Sequence, residues 1–194
     1  MDPSQQITVL VVDDHPAVRA GLRALIDAEP GMTALGDVGD TFAVAPAVYR
    51  MRPDVVVLDY QLPGINGLSL CREITAAIRS PAVLMYSAFA SRAMLVPARI
   101  ARAGAIADKG IEPRELTALI RRLAAGENLI ADPSAELVAA AAHRLDGEDI
   151  PILELLLGGT SLRQIAGQLN IVAADLEQRV DGMLARLTVG SYPT

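Results

Sequence analysis

The stretch Asp54-Val55-Val56-Val57-Leu58-Asp59-Tyr60-Gln61-Leu62-Pro63-Gly64 decides the fold. Its apolar residues run without a polar break and stop at Asp59. A continuous β-branched run bounded by turn residues reads as a strand buried on both faces, the kind found in parallel sheets. Working outward, Thr8–Val12 is a second such run, ending at Asp13 and Asp14. Ala82–Tyr86 ends at Ser87, Ala105–Ala107 leads to Lys109, and Met32–Val38 is a weaker strand. Helical spacing fills the intervals. It appears at Ala17–Ile26, at Thr41–Arg50 with Thr41 as cap and Pro46 kinking or shortening it, and at Leu68–Ile78. It recurs at Arg92–Ala103, interrupted or restarted at Pro97, and at Glu112–Ala125, stopped by Gly126. Strands alternating with helices predict an α/β fold with a doubly wound five-stranded parallel sheet.

In such a sheet the carboxyl ends of the strands are neighbours, and the turns leaving them are where ligands bind. Asp13, Asp14, Asp59, Ser87 and Lys109 all fall at those ends, so residues far apart in the chain converge. Carboxylates held close together repel unless a cation joins them. Hard oxygen donors suit Mg²⁺, which keeps several waters. An aspartate beside such a cation can attack a phosphoryl group and form an aspartyl phosphate. A lysine can neutralise phosphate charge, and a hydroxyl such as Ser87 can hydrogen-bond a phosphate oxygen. The chain has 17 basic residues, and Lys109 is its single lysine. A compact ammonium fits a crowded phosphate pocket better than a planar guanidinium does. Individually each residue has a plainer role: Asp13 or Asp14 as a helix cap, Asp59 as a turn residue, Lys109 as a surface charge. His15 reads as a loop or cap residue, and Cys71 and Met94 as core fillers.

At 194 residues and 52% hydrophobic, the chain can bury one ordinary domain and a small one. It shows no apolar run of the roughly 18 residues that a membrane helix needs. The polar start, Met1 to Gln6, has no signal-peptide pattern, and one cysteine cannot form an internal disulfide. These features predict a soluble cytoplasmic protein with no membrane partner. The charge is uneven. Residues 1–126 hold 13 basic and 13 acidic side chains, whereas residues 127–194 hold 4 and 10, so the net charge of −6 lies in the tail. An acidic tail opposes simple attraction to nucleic acid.

The tail begins with a partly helical linker, residues 127–144, in which Ser134–Ala142 is alanine-rich. Three helical patterns follow at Ile150–Leu157, Leu162–Leu169 and Ala173–Leu187. Leu153, Leu156, Ile165, Leu169, Ile171, Leu176, Val180 and Leu184 are placed to form their core.

The first 126 residues resemble the receiver domain of two-component response regulators, a flavodoxin-like fold. Val11-Val12-Asp13-Asp14-His15-Pro16 resembles the acidic pair of the NarL/FixJ subfamily. Leu58-Asp59-Tyr60-Gln61-Leu62-Pro63-Gly64-Ile65-Asn66-Gly67 resembles the segment around its phosphorylated aspartate. Tyr86-Ser87-Ala88 resembles the switch-hydroxyl strand and Asp108-Lys109-Gly110 the lysine turn. The resemblance implies that Asp59 accepts phosphate from a histidine kinase, and that Asp14, Asp59 and the Gln61 carbonyl ligate Mg²⁺. Asp13 would assist through water, and Ser87 and Lys109 would sense the phosphate. Ile106 departs from the family, which usually has an aromatic switch residue there.

Leu145 to Val189 resembles the LuxR-type helix-turn-helix, a small all-α domain over residues 145–194. Gly158 to Ala166 matches the turn into the scaffold helix, and Gln168-Leu169-Asn170-Ile171 the turn before the recognition helix. Asn170 replaces a usual glycine, and asparagine tolerates a left-handed backbone. Val172 stands where a hydroxyl cap is usual, and Asp175, Glu177 and Asp181 make the recognition helix acidic. Arg163, Gln178, Arg179 and Arg186 are the candidate DNA contacts. The resemblance implies a phosphorylation-controlled transcription regulator, a homodimer and not an enzyme beyond self-phosphotransfer and autodephosphorylation. An alternative keeps the fold but uses the acidic tail for dimerisation or protein binding. A metal-dependent phosphatase of the haloacid-dehalogenase type fits poorly. Such enzymes place two aspartates one apart with the nucleophile on the first strand, whereas Asp13 and Asp14 are adjacent and Asp59 follows the third.

Overall fold

The computed structural model describes residues 6–76 and 80–188. The chain divides into two compact units. One comprises Met1–Ala90 with Arg102–Ile130, and the other Ser91–Ala101 with Ala131–Thr194.

In the first unit the order is β1 (Ile7–Val12), α1 (Pro16–Ala28), β2 (Met32–Val38), α2 (Val44–Met51) and β3 (Val55–Asp59). A two-residue hairpin, β4 (Gln61–Leu62) and β5 (Ile65–Asn66), leads into α3 (Gly67–Thr75). Then come β6 (Ala82–Ser87), β7 (Ala105–Asp108) and α5 (Pro113–Ala124). Between β6 and β7 lies α4 (Leu95–Ile100), which belongs to the second unit. The main sheet runs β2-β1-β3-β6-β7, with every pairing parallel. The strand order reverses direction at β1 and β3, and the crevice at that switch point receives the carboxyl ends of both. All five residues of β3 are buried, as the uninterrupted apolar run requires. Val9, Val11, Val55 and Val57 share a core with Ile26, Leu116 and Ile120 of the flanking helices.

Two local expectations are corrected. Thr41 does not cap the second helix: Thr41–Ala43 is a 3₁₀ turn, and the Asp40 carboxylate accepts from the Phe42 amide. A carboxylate one residue earlier meets that unsatisfied amide better than the Thr41 hydroxyl does. Pro46 is the third residue of α2, inside the first turn, where no helical acceptor awaits its missing N–H. Pro97 likewise does not start the fourth helix, which begins at Leu95 after a 3₁₀ turn at Arg92–Met94. The third helix runs Gly67–Thr75; residues 77 and 78 of its expected span lie outside the described residues, as do Met1 to Gln5 and the last six residues.

The second unit contains α4, α6 (Ala135–Ala142), α7 (Ile150–Leu157), α8 (Leu162–Leu169) and α9 (Ala173–Thr188). Helix α4 packs on α6, α7 and α9. Arg99 reinforces this by donating to the Leu157 carbonyl at 3.2 Å and pairing with Asp132 at 3.1 Å. Ser134 caps α6, and Ser161 and Gln164 form a reciprocal capping box on α8. Helix α8 ends at Asn170, left-handed at φ 52 and ψ 43. Leu153, Ile165, Leu176, Val180 and Leu184 are buried as expected, joined by Ile152, Met183 and Leu187. Leu156, Leu169 and Ile171 are half-buried. Among the described residues no helix is long and apolar enough to cross a membrane.

Candidate functional site

The parallel register delivers the site. Asp59 pairs with Tyr86 and Ser87 with Asp108 at the strand ends, and Asp13 follows β1 directly. The Lys109 amide donates to the Ser87 carbonyl at 2.9 Å, which turns the chain so that its side chain reaches back. Lys109 Nζ lies 2.7 Å from Asp13 Oδ2 and 3.0 Å from Asp59 Oδ2. Asp13, Asp59 and Ser87 are all buried. Ser87 Oγ accepts from the Phe89 amide at 3.0 Å. The Gln61 amide donates to Asp59 Oδ1 at 3.2 Å, and the Gln61 side chain is exposed. Ile106 is half-buried on β7.

Burial is the largest influence on Asp59 and raises its carboxyl above the usual range. The nearby Lys109 ammonium and the Gln61 amide oppose this without reversing it. Burial also works against the charge on Lys109, but Asp13 and Asp59 together outweigh it and hold the ammonium above the ordinary lysine range.

Among the described residues, two buried carboxylate oxygens have no hydrogen bond: Asp14 Oδ1, which has His15 Nδ1 at 2.6 Å, and Asp59 Oδ2. The 3.0 Å approach of Lys109 to the latter is an ion pair that is not aligned as a hydrogen bond. Orphaned anionic oxygens are costly in a protein interior. One donor atom each from Asp13, Asp14, His15 and Asp59 lies within 4.8 Å of the others, so the set fits a hard divalent cation.

Sequence reasoning passed over three residues. Arg19 on α1 donates from Nη1 to the carbonyls of Asp13 and Asp14 at 2.8 and 3.1 Å, which fixes the turn that presents both carboxylates. Its Nε pairs with Asp37 at 2.7 Å, and this contact, with Arg23, holds the Asp37 carboxyl below its usual range. Tyr86 donates its hydroxyl to the Lys109 carbonyl at 3.2 Å, and its ring centroid is 5.8 Å from Nζ. Gly67 lies so close to the end of β3 that a Cβ there would sit 2.6 Å from the carbonyl oxygens of Asp59 and Tyr60. The signals were an acid near the end of β2, an aromatic residue beside Ser87 and a glycine after the hairpin.

Of the candidate DNA contacts, Arg163 and Gln178 are exposed. Arg179 pairs with Glu148 at 2.7 Å and Asp149 at 3.1 Å, and Arg186 with Asp146 at 2.6 Å and Asp149 at 3.0 Å. Asp149 is buried. The Glu148 contact leads the influences that raise the Arg179 guanidinium further above its usual value.

A buried aspartate, an acidic pair and a lysine at the carboxyl edge of a parallel sheet define a receiver domain. Residues 9–121 match the response regulator receiver domain. Over 191 residues the chain is 30% identical to the DNA-binding transcriptional activator DevR/DosR of Mycobacterium tuberculosis, covering 93% of this chain and 88% of that protein. It is 25% identical over 202 residues to the nitrate/nitrite response regulator protein NarL of Escherichia coli, covering 98% and 94%. A two-component response regulator of the LuxR family from Aurantimonas sp. SI85-9A1 superposes with a TM-score of 0.61 at 28% identity, covering 71% of this chain and 99% of that one. The chain belongs to the response regulators of two-component systems, in their NarL/FixJ branch with a LuxR-type helix-turn-helix.

Proposed function

We propose that Asp59 accepts a phosphoryl group from a histidine kinase and that this controls transcription through the helix-turn-helix. The observation that carries the reading is Asp59 Oδ2, buried, without a hydrogen bond, and 3.0 Å from Lys109 Nζ. A carboxylate oxygen in that state is a nucleophile with a cation already beside it. Asp59 attacks phosphorus as the phosphohistidine P–N bond breaks, and the electron pair leaves on the kinase imidazole. Asp14, Asp59 and the Gln61 carbonyl would hold Mg²⁺, with Asp13 assisting through water. Bound there, the cation would neutralise charge on the phosphoryl oxygens. Lys109 shares that task, and Ser87 exchanges its Phe89 contact for a phosphate oxygen. Beyond self-phosphotransfer and autodephosphorylation the chain catalyses nothing of its own. Ile106 has no ring or hydroxyl to carry the signal outward, so coupling to a homodimer interface is weak. The receiver domain is assigned to residues 1–126, the linker to 127–144 and the helix-turn-helix to 145–194, in a cytoplasmic protein.

The relationship to DevR/DosR, a DNA-binding activator, supports regulation at DNA. Arg163 and Gln178 are the exposed candidates for contact, with Arg179 and Arg186 joining only by leaving their acidic partners. A second reading, in which the tail binds protein or dimerises, is favoured by those same ion pairs and by the tail's excess of acid. Duplex binding measured across a salt series, with and without a phosphoryl mimic, separates the two. DNA regulation predicts weak, strongly salt-dependent binding that Glu177→Lys tightens. No binding of a broad duplex library at low salt, with the mimic present, favours the protein-binding reading.

A further inference from the structure

Among the described residues, the two most exposed large apolar side chains belong to one short helical stretch. Phe42, in the 3₁₀ turn before α2, is 90% exposed, and Tyr49, on α2, is 81% exposed. They stand seven positions apart, close to two helical turns. Both rings therefore project from one face, about 10 Å apart along the axis. Midway between them the stretch carries smaller residues, with Ala45 half-buried and Pro46 exposed. Charge is ordered along the same stretch. Asp40 stands at its amino end and Arg50 and Arg52 at its carboxyl end, all three exposed. None of the three enters an ion pair among the described residues. Exposed aromatic pairs of this kind mark surfaces that a partner covers.

We propose that α2 is the homodimer interface: a second copy of the chain packs its own α2 antiparallel on this face, about a two-fold axis between Ala45 and Pro46. The inference deepens the homodimer of the proposed function and rests on that reading. Phe42 and Tyr49 are equidistant from the axis, so Phe42 of each copy lies beside Tyr49 of the other. Asp40 falls opposite the segment that holds Arg50 and Arg52 in the other copy, and this pairing occurs twice per dimer. A parallel arrangement would instead bring acid against acid and arginine against arginine. The small residues at the crossing let the two helices approach. This self-complementarity of charge selects a second copy as the occupant. Each aromatic side chain offers about 150–250 Å². The four rings of a dimer bring about 600–1,000 Å² into the contact, the scale of a weak and reversible association.

Sedimentation velocity of the full chain over a concentration series measures self-association. The expected result is a reversible monomer–dimer equilibrium that Phe42→Ser with Tyr49→Ser weakens about tenfold or more. Both side chains face water in the monomer, so thermal unfolding of the dilute double variant should match the wild type. Asp40→Asn keeps an acceptor for the Phe42 amide. It should weaken the dimer about two- to threefold at low salt and less at high salt. Crosslinking reads the register. Pro46→Cys, beside the axis, should give a disulfide-linked dimer under a mild oxidant, and Ala24→Cys on the exposed face of α1 should not. Cys71 is buried and stays out of that reaction. A chain that remains monomeric at every concentration would assign the aromatic pair to another protein and overturn the proposal. A dimer whose affinity ignores the double variant would overturn this interface and leave the homodimer standing. Crosslinking through Ala24→Cys but not Pro46→Cys would do the same. None of these readouts involves Asp59, so a failure of phosphorylation is seen separately.

Discussion

Two buried aspartates, one in each unit, are held in opposite ways. Asp59 at the end of β3 has one oxygen with no hydrogen bond and a single unaligned ammonium beside it. Asp149, before α7, has both oxygens occupied, Oδ1 by Arg179 and Oδ2 by Arg186. Both side chains are nearly inaccessible, at 2% and 3%. Satisfaction, not burial, separates them. A carboxylate whose lone pairs are fully engaged ties helices together and has nothing left to offer a substrate. One left short of partners is costly in the fold and available for cation binding and attack. Two of the three guanidinium groups that sequence reasoning offered to DNA, those of Arg179 and Arg186, thus hold a buried carboxylate of their own unit.

The largest effect should come from removing both arginines. Arg179→Ala with Arg186→Ala leaves Asp149 buried and unpaired. Losing such partners typically costs about 3–5 kcal/mol, reduced here to about 2–3 because both guanidinium groups are partly exposed. Denaturant unfolding of the double variant checks this. A loss of DNA affinity with unchanged stability would make the arginines readers rather than anchors and would end the contrast. Gly67→Ala should follow, with a loss of roughly 1–3 kcal/mol, since the new methyl meets backbone oxygens rather than a movable side chain. It should also lower phosphorylation by displacing Asp59. Wild-type stability would show that the end of β3 gives way freely.

The smallest effect has the opposite sign. The Asp59 carboxyl is raised in the fold, chiefly by burial. Such a group supports the fold most when protonated, below its unfolded value near 3.8. That support fades as pH rises through the folded value, leaving a charged carboxylate that opposes folding near neutrality. Asp59→Asn should therefore unfold a few degrees higher than wild type at neutral pH. The gap should narrow as the pH falls toward the unfolded value. A gap that does not vary with pH would mean that Asp59 is as well satisfied as Asp149.

The site was more legible than the tail because of how each is built. Strand periodicity and the parallel topology brought Asp13, Asp59, Ser87 and Lys109 together without any knowledge of side-chain contacts. Arg19 and Tyr86 escaped because their contacts to the site run to backbone carbonyls, which leave no charge pattern in a sequence. Helical spacing located α7, α8 and α9 closely, and Asn170 took the left-handed conformation its residue type permits. The partners of Arg179 and Arg186 lie 30 or more positions away, on a turn whose acids read as surface charge. The packing of α4 with the tail helices was likewise invisible, since its spacing is that of any helix between strands.

The most direct test of the account is phosphorylation itself. Incubating the full chain with a small phosphodonor and Mg²⁺ and recording intact mass should show one added phosphoryl group. Asp59→Asn should show none, while the Arg179→Ala and Arg186→Ala double variant, if folded, should still be labelled. Undiminished labelling of Asp59→Asn would contradict the claim that the unsatisfied buried aspartate is the reactive one.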